Sequence, residues 1–158
     1  MSDTAENSAD TAAEELKSKI DDKYIIFSIQ GRQYTFPSRF VNEIAIFDKV
    51  YPLPLVPSCI LGIINRYSIP YALFDIGLLL FKTSSPRRKM LIMKDEIDRI
   101  AFLIDDVTGI VEVSGEKLLE VERNDVTELV SSAFNLNGSD VFVLDIQSIM
   151  ACVTAEAA

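Results

Sequence analysis

From Tyr24 onward the chain alternates short apolar runs with glycine, asparagine, aspartate and proline. YIIFSI, then Gln30-Gly31-Arg32, then QYTF reads as a strand, a tight turn and a second strand. The segment SRFVNEIAIF opens on a serine cap and predicts a turn of helix before an extended stretch. YPLPLVPS cannot be regular structure, because Pro52, Pro54 and Pro57 remove backbone donors and hold an extended path. From Gly62 to Ile76, GIINRYSIPYALFDI sets two apolar runs around the polar corner Asn65-Arg66-Tyr67-Ser68, and IGLLLF follows as a short helical turn. KMLIMK and RIAFLI form a hairpin across Asp95 to Asp98, and VTGIVEV is a further run. After a polar stretch, Asn137-Gly138 marks a turn inside LVSSAFNLNGSDVFVLDI, and QSIMACV closes the chain with a helical turn.

These runs add up to about nine or ten short strands with only fragments of helix, a pattern that predicts an all-β antiparallel barrel or sandwich rather than βαβ units. One barrel or two small ones hold these strands equally well. Residues 1–22 hold almost no large apolar side chains and are expected to be a mobile acidic tail. Within it Thr11 and Glu14 form a capping box ahead of Leu16 and Ile20, which allows a short helix over 12–20. The folded domain is expected over residues 23–153, with 154–158 as a C-terminal tail.

Composition narrows the function more than the fold. A chain of 158 residues that is 49% hydrophobic is one domain with a well-filled core. The net charge of −9 argues against nucleic acid, since neutralising phosphates needs a basic face. No apolar run approaches the ~18 residues of a membrane helix, and the N-terminus is acidic, so a cytoplasmic protein without direct membrane insertion is expected. Cys59 and Cys152 sit in apolar surroundings and read as buried free thiols.

Histidine is absent, which excludes Ser-His-Asp and Cys-His catalysis and the commonest metal ligand. The glycines between Gly109 and Lys117 have the wrong spacing for a phosphate loop. Asp105 and Asp106 are adjacent on a strand and point to opposite faces, so one is expected to cap a turn and the other to be solvated. Asp95, Glu96 and Asp98 lack the glycine and glutamate of a calcium loop. No cofactor, no metal and no enzymatic activity are expected; a binding module is the better class.

The order of the signals carries the rest. YIIFSIQGRQYTF, FVNEI, PLPLVPSCILG, GIIN, a strand ending FDI, AFLIDDVTGIVEV and VFVLDIQSIM follow one another as in the CheW-like chemotaxis coupling domain, which the chain resembles from about Tyr24 to Met150. The resemblance implies two small SH3-like, five-stranded antiparallel β-barrel subdomains packed together, with short helices and a groove between them. It implies an adaptor that binds the cytoplasmic helical hairpin of a chemoreceptor in that groove and the regulatory domain of a CheA-type histidine kinase through its barrel ends, recruited to membrane receptor arrays. By the same resemblance Val41 and Ile44 would floor the groove, with Glu43, Asn65, Arg66 and Tyr67 at its rim; the kinase-binding residues are not identified.

The quoted corner departs from the family. Asn65 matches, but Tyr67-Ser68 stands where Arg-Gly is usual, Ala72 replaces a proline, and Arg66 falls one position early, which on a strand points it to the opposite face. Its pairing with Glu43 is therefore the contact at issue. Two alternatives follow: an adaptor that binds one partner only or serves another pathway such as surface motility, and a small-ligand carrier or enzyme using the cleft between the barrels.

Overall fold

The computed structural model describes residues 22–46, 48–82, 89–94, 98–121 and 128–157. The tail with its capping box and the turn expected at Asp95–Ile97 lie outside them. Among the described residues eleven strands form two sheets. The terminal sheet is built from both ends of the chain: β8 (Asp106–Val113), β1 (Asp22–Ile29), β2 (Arg32–Pro37), β11 (Ser139–Leu144), β10 (Val130–Leu136) and the two-residue β9 (Leu119–Glu120), in that order. The middle sheet runs β3 (Val41–Ile46), β6 (Lys89–Met93), β7 (Ile100–Ile104), β5 (Ile69–Phe74) and β4 (Ile60–Arg66). The expected pair of β subdomains is present, and the short β9 is the strand that the sequence reading lacked.

Pairing is antiparallel except once in each sheet. β5 runs parallel to β7, and β11 runs parallel to β2. Parallel neighbours need a crossover, and for β5 the helix Ile76–Phe81 together with β6 supplies it.

The two sheets are copies of one plan. In each, a bulged hairpin (β4–β5 or β10–β11) ends on a buried or half-buried aspartate whose backbone N–H returns to the hairpin's start: Asp75 to the Cys59 carbonyl at 2.7 Å, Asp145 to that of Leu129 at 2.8 Å. Each aspartate then caps the helix that follows it, Asp75 accepting from Leu78 N and Asp145 from Gln147 N. β1–β2 corresponds to β6–β7, and the third strand of each copy is exchanged: β3 pairs with β6, and β8 with β1. Both exchanged strands carry a bulge at the same place, after Val41 and after Val107. The single bridge Tyr51↔Ile63 occupies in the middle sheet the place that β9 holds beside β10.

Strand exchange makes neither copy complete alone, and the burial follows. Each sheet encloses a small cluster of its own, Ala45, Ile64, Tyr71, Leu73, Met90, Ile92, Ala101 and Leu103 in the middle one. The principal core lies between the sheets and is threaded by Phe27, Phe36, Phe102 and Phe74, with successive centroids 5.7, 5.3 and 5.9 Å apart. Phe36 and Phe102, on the corresponding strands β2 and β7, stack on each other and are fully buried. Each such ring contributes ~1.5–3 kcal/mol of burial. The closing helix Ile146–Ala157 seats Ile149 and Val153 in this core and continues past the expected domain end at residue 153.

Candidate docking corner

β4 and β5 are joined by Tyr67 and Ser68, both with left-handed backbone, φ 52° and 66°. Positive φ at both central residues is the hairpin turn whose twist matches the strands it joins. Along β4, Ile64 is buried, Asn65 is exposed and Arg66 is half-buried, so Arg66 turns to the sheet's inner side at its open rim. Along β3, past the bulge that follows Val41, Ala45 is buried in the middle subdomain's own cluster and Glu43, two positions before it, is half-buried on that same side.

The contact at issue is therefore made. Arg66 Nε donates to Glu43 Oε1 at 3.0 Å and Nη2 donates to Oε2 at 3.2 Å, a two-pronged ion pair. Hydrogen bonding to Glu43 holds the Arg66 guanidinium above its ordinary range. On its other side the guanidinium lies 4.8 Å from the ring centroid of Tyr67, which is 78% exposed. Placing the arginine one position early costs the pair nothing, because the last strand residue, not the turn residue, faces the rim.

The other expected site residues separate. Asn65 is exposed beside Arg66, and Ile44 is 44% exposed on β3, with Ile46 exposed two positions on. Val41 belongs to the principal core and offers no surface floor. A crevice of about 190 Å³ adjoins Asn65 and Arg66, lined also by Ile46, Asp48, Tyr51 and Met90. All of these come from the middle sheet and the segment that follows β3, whereas the seam between the sheets is filled by the principal core. The described residues thus place the crevice on one subdomain rather than between two.

Sequence reading missed Ile46, Tyr51 and Leu55. Tyr51 is bound to Ile63 by two backbone hydrogen bonds of 2.8 Å, which fix the proline-rich segment against β4, and Lys49 lies over its ring. Leu55 is fully exposed at φ 59°, where glycine is favoured. The signal was available in Pro54-Leu55, a turn dipeptide with a leucine where the second central residue needs positive φ.

Away from the corner, Asp105 accepts from Gln30 N at 2.7 Å and so caps the β1–β2 turn, while Asp106 is paired with Lys89 at 2.6 Å rather than merely solvated. Cys59 is buried and Cys152 only half-buried, and the two form no disulfide. A cavity of about 740 Å³ on the terminal subdomain is lined by Tyr24, Phe40, Val143, Ile146 and Met150, with Arg39 at its edge ion-paired to Asp22. Among the described residues there is no cluster of three or more metal-ligating side chains, and no helix is long and apolar enough to cross a membrane.

No curated protein matches the sequence. Among solved structures, the scaffolding protein TtCheW from Thermoanaerobacter tengcongensis superposes with a TM-score of 0.71 over 80% of this chain and 90% of that one, at 16% identity, a likeness of fold. The family model of the CheW-like domain matches residues 23–153, most of the chain and both subdomains, and the chain belongs to the CheW-like domain family.

Proposed function

We propose that the protein is a non-catalytic signalling adaptor. It joins the cytoplasmic helical hairpin of a chemoreceptor to the regulatory domain of a CheA-type histidine kinase, and it acts in the cytoplasm at membrane receptor arrays. The observation that carries this reading is the Glu43–Arg66 pair, which forms at the rim although its arginine is displaced in sequence. A rod-like helical partner needs exposed apolar contacts with a few oriented polar groups to set its register. Ile44, Ile46 and Tyr67 supply the first and Asn65 with the ion pair supplies the second. Isothermal titration of the protein with a soluble receptor-hairpin fragment, and separately with the kinase regulatory domain, tests it. Saturable 1:1 binding to each is expected; heat from neither refutes the adaptor reading.

Binding to one partner only is the second reading, and Tyr67-Ser68 in place of Arg-Gly favours it at the receptor side. Kinase binding without receptor binding would establish it.

A further inference from the structure

Among the described residues there are three two-residue hairpin turns with both residues at positive φ: Gln30-Gly31, Tyr67-Ser68 and Asn137-Gly138. Two of them put glycine second, the residue without a Cβ penalty in that conformation. The third does not. Its counterpart in the repeated plan is Asn137-Gly138, with the same strands, the same bulge and the same aspartate-capped helix. In that copy the preceding Asn135 closes the turn through a 3.1 Å hydrogen bond from Gly138 N and also reaches Asp140. The corresponding Asn65 is exposed, and its side chain has no hydrogen-bond partner among the described residues.

The terminal copy closes this hairpin on a glycine that bears its positive φ without a Cβ penalty, whereas Tyr67-Ser68 bears it with two side chains. Tyr67 is not compensated by burial either, since its ring is 78% exposed and lies against the Arg66 guanidinium. A strained backbone that presents an exposed aromatic ring is held for a contact outside the molecule.

From this we infer that Tyr67 is the specificity-determining residue of the docking corner: its ring, propped on Arg66, receives an apolar side chain of the receptor helix, while Asn65 hydrogen-bonds that helix's polar edge. The inference rests on the adaptor reading and names the part of the corner that selects one receptor over another. A tyrosine suits the task because it offers a large rigid surface with few torsions to freeze. The cost falls on the folded state of the free protein, in the turn itself.

Transplanting the counterpart turn separates the two effects. In the double variant Tyr67→Asn, Ser68→Gly the hairpin keeps its geometry, and the thermal midpoint is expected to rise by about 3–6 °C. Affinity for the receptor-hairpin fragment, read by biolayer interferometry, is expected to fall at least tenfold, and affinity for the kinase regulatory domain to stay unchanged. Ser68→Gly alone should raise the midpoint and leave both affinities in place, and Tyr67→Phe should keep receptor binding. A double variant that binds the receptor fragment as tightly as the parent overturns the inference and leaves the adaptor reading standing. A parent protein that binds no receptor fragment overturns both, and a midpoint that does not rise removes the strain argument.

Discussion

Gly62→Ala is expected to detach the proline-rich segment from the middle subdomain. Gly62 has φ +146°, a conformation that side chains rarely adopt, and a Cβ there would stand 2.2 Å from the Tyr51 carbonyl oxygen, 2.7 Å from its carbon and 2.9 Å from Pro52 Cα. No flexible side-chain tip is available to move aside, because all three neighbours are backbone. That backbone is held in place by the paired Tyr51–Ile63 hydrogen bonds, so relieving the clash means breaking them. Two such bonds contribute ~0.5–1.5 kcal/mol each, and the backbone strain of a non-glycine residue adds ~1–3 kcal/mol. The sum is a loss of about 2–6 kcal/mol, a large share of the ~5–15 kcal/mol that separates a folded domain from its unfolded chain. Urea unfolding should show the midpoint falling by about 1–2 M, and hydrogen exchange should show the Tyr51 and Ile63 amides losing protection before the β6–β7 core. Since Tyr51 lines the crevice beside Asn65 and Arg66, receptor-fragment affinity should fall with the same change. A loss below about 1 kcal/mol with both amides still protected would refute the reasoning.

Two further outcomes follow from single residues. Leu55→Gly should stabilise the protein by ~1 kcal/mol, because leucine gains nothing from burial there and occupies a left-handed backbone; an unchanged unfolding midpoint in urea would contradict this. The hydrogen bond from Lys89, helped by one from the Val107 backbone N–H, holds the Asp106 carboxyl below its ordinary range. Its folded value lies below its unfolded one, so the stabilisation is full above about pH 4 and is lost as pH falls through the folded value. A carboxyl NMR titration should place the Asp106 midpoint below that of a free aspartate side chain and return it upward in Lys89→Ala; equal midpoints would rule the pair out.

How far the fold could be read from the residues depends on the range of the interactions involved. Hairpins with glycine turns were plain, since Gln30-Gly31 and Asn137-Gly138 are local chemistry, and so was a helical turn over Ser38–Phe40, although Pro37 and not Ser38 holds the cap position and no side chain caps it. Exchange of β3 and β8 was not legible, because strand partners are chosen by contacts made across most of the chain. The repeat did leave a trace: Leu73-Phe74-Asp75-Ile76 and Val143-Leu144-Asp145-Ile146 each follow a hairpin corner led by asparagine, and each aspartate caps the next helix.

At the site, Glu43, Asn65 and Arg66 were identifiable as a group, but the family's spacing, which sets the arginine one position later, sends Arg66 away from Glu43. What reunites them is the rim, where Arg66 is the last strand residue before the turn and a long side chain can reach across the open end of the sheet. Val41 and Ile44 could not be told apart by composition; the bulge after Val41 puts both on the same face of β3, opposite Met93 and Leu91, where Val41 is core and Ile44 is exposed. The strained Tyr67-Ser68 turn carried no sequence signal beyond its poor fit to a tight hairpin, and that misfit was itself the informative feature.

The adaptor claim is tested most directly by co-sedimentation of receptor-bearing vesicles with purified kinase in the presence and absence of this protein. The account predicts that the protein carries the kinase into the pellet, and that Glu43→Lys, which opposes Arg66 with a like charge, leaves the kinase in the supernatant while the variant still binds it in solution. Kinase that sediments equally with the parent, with the variant and with no adaptor at all would contradict it.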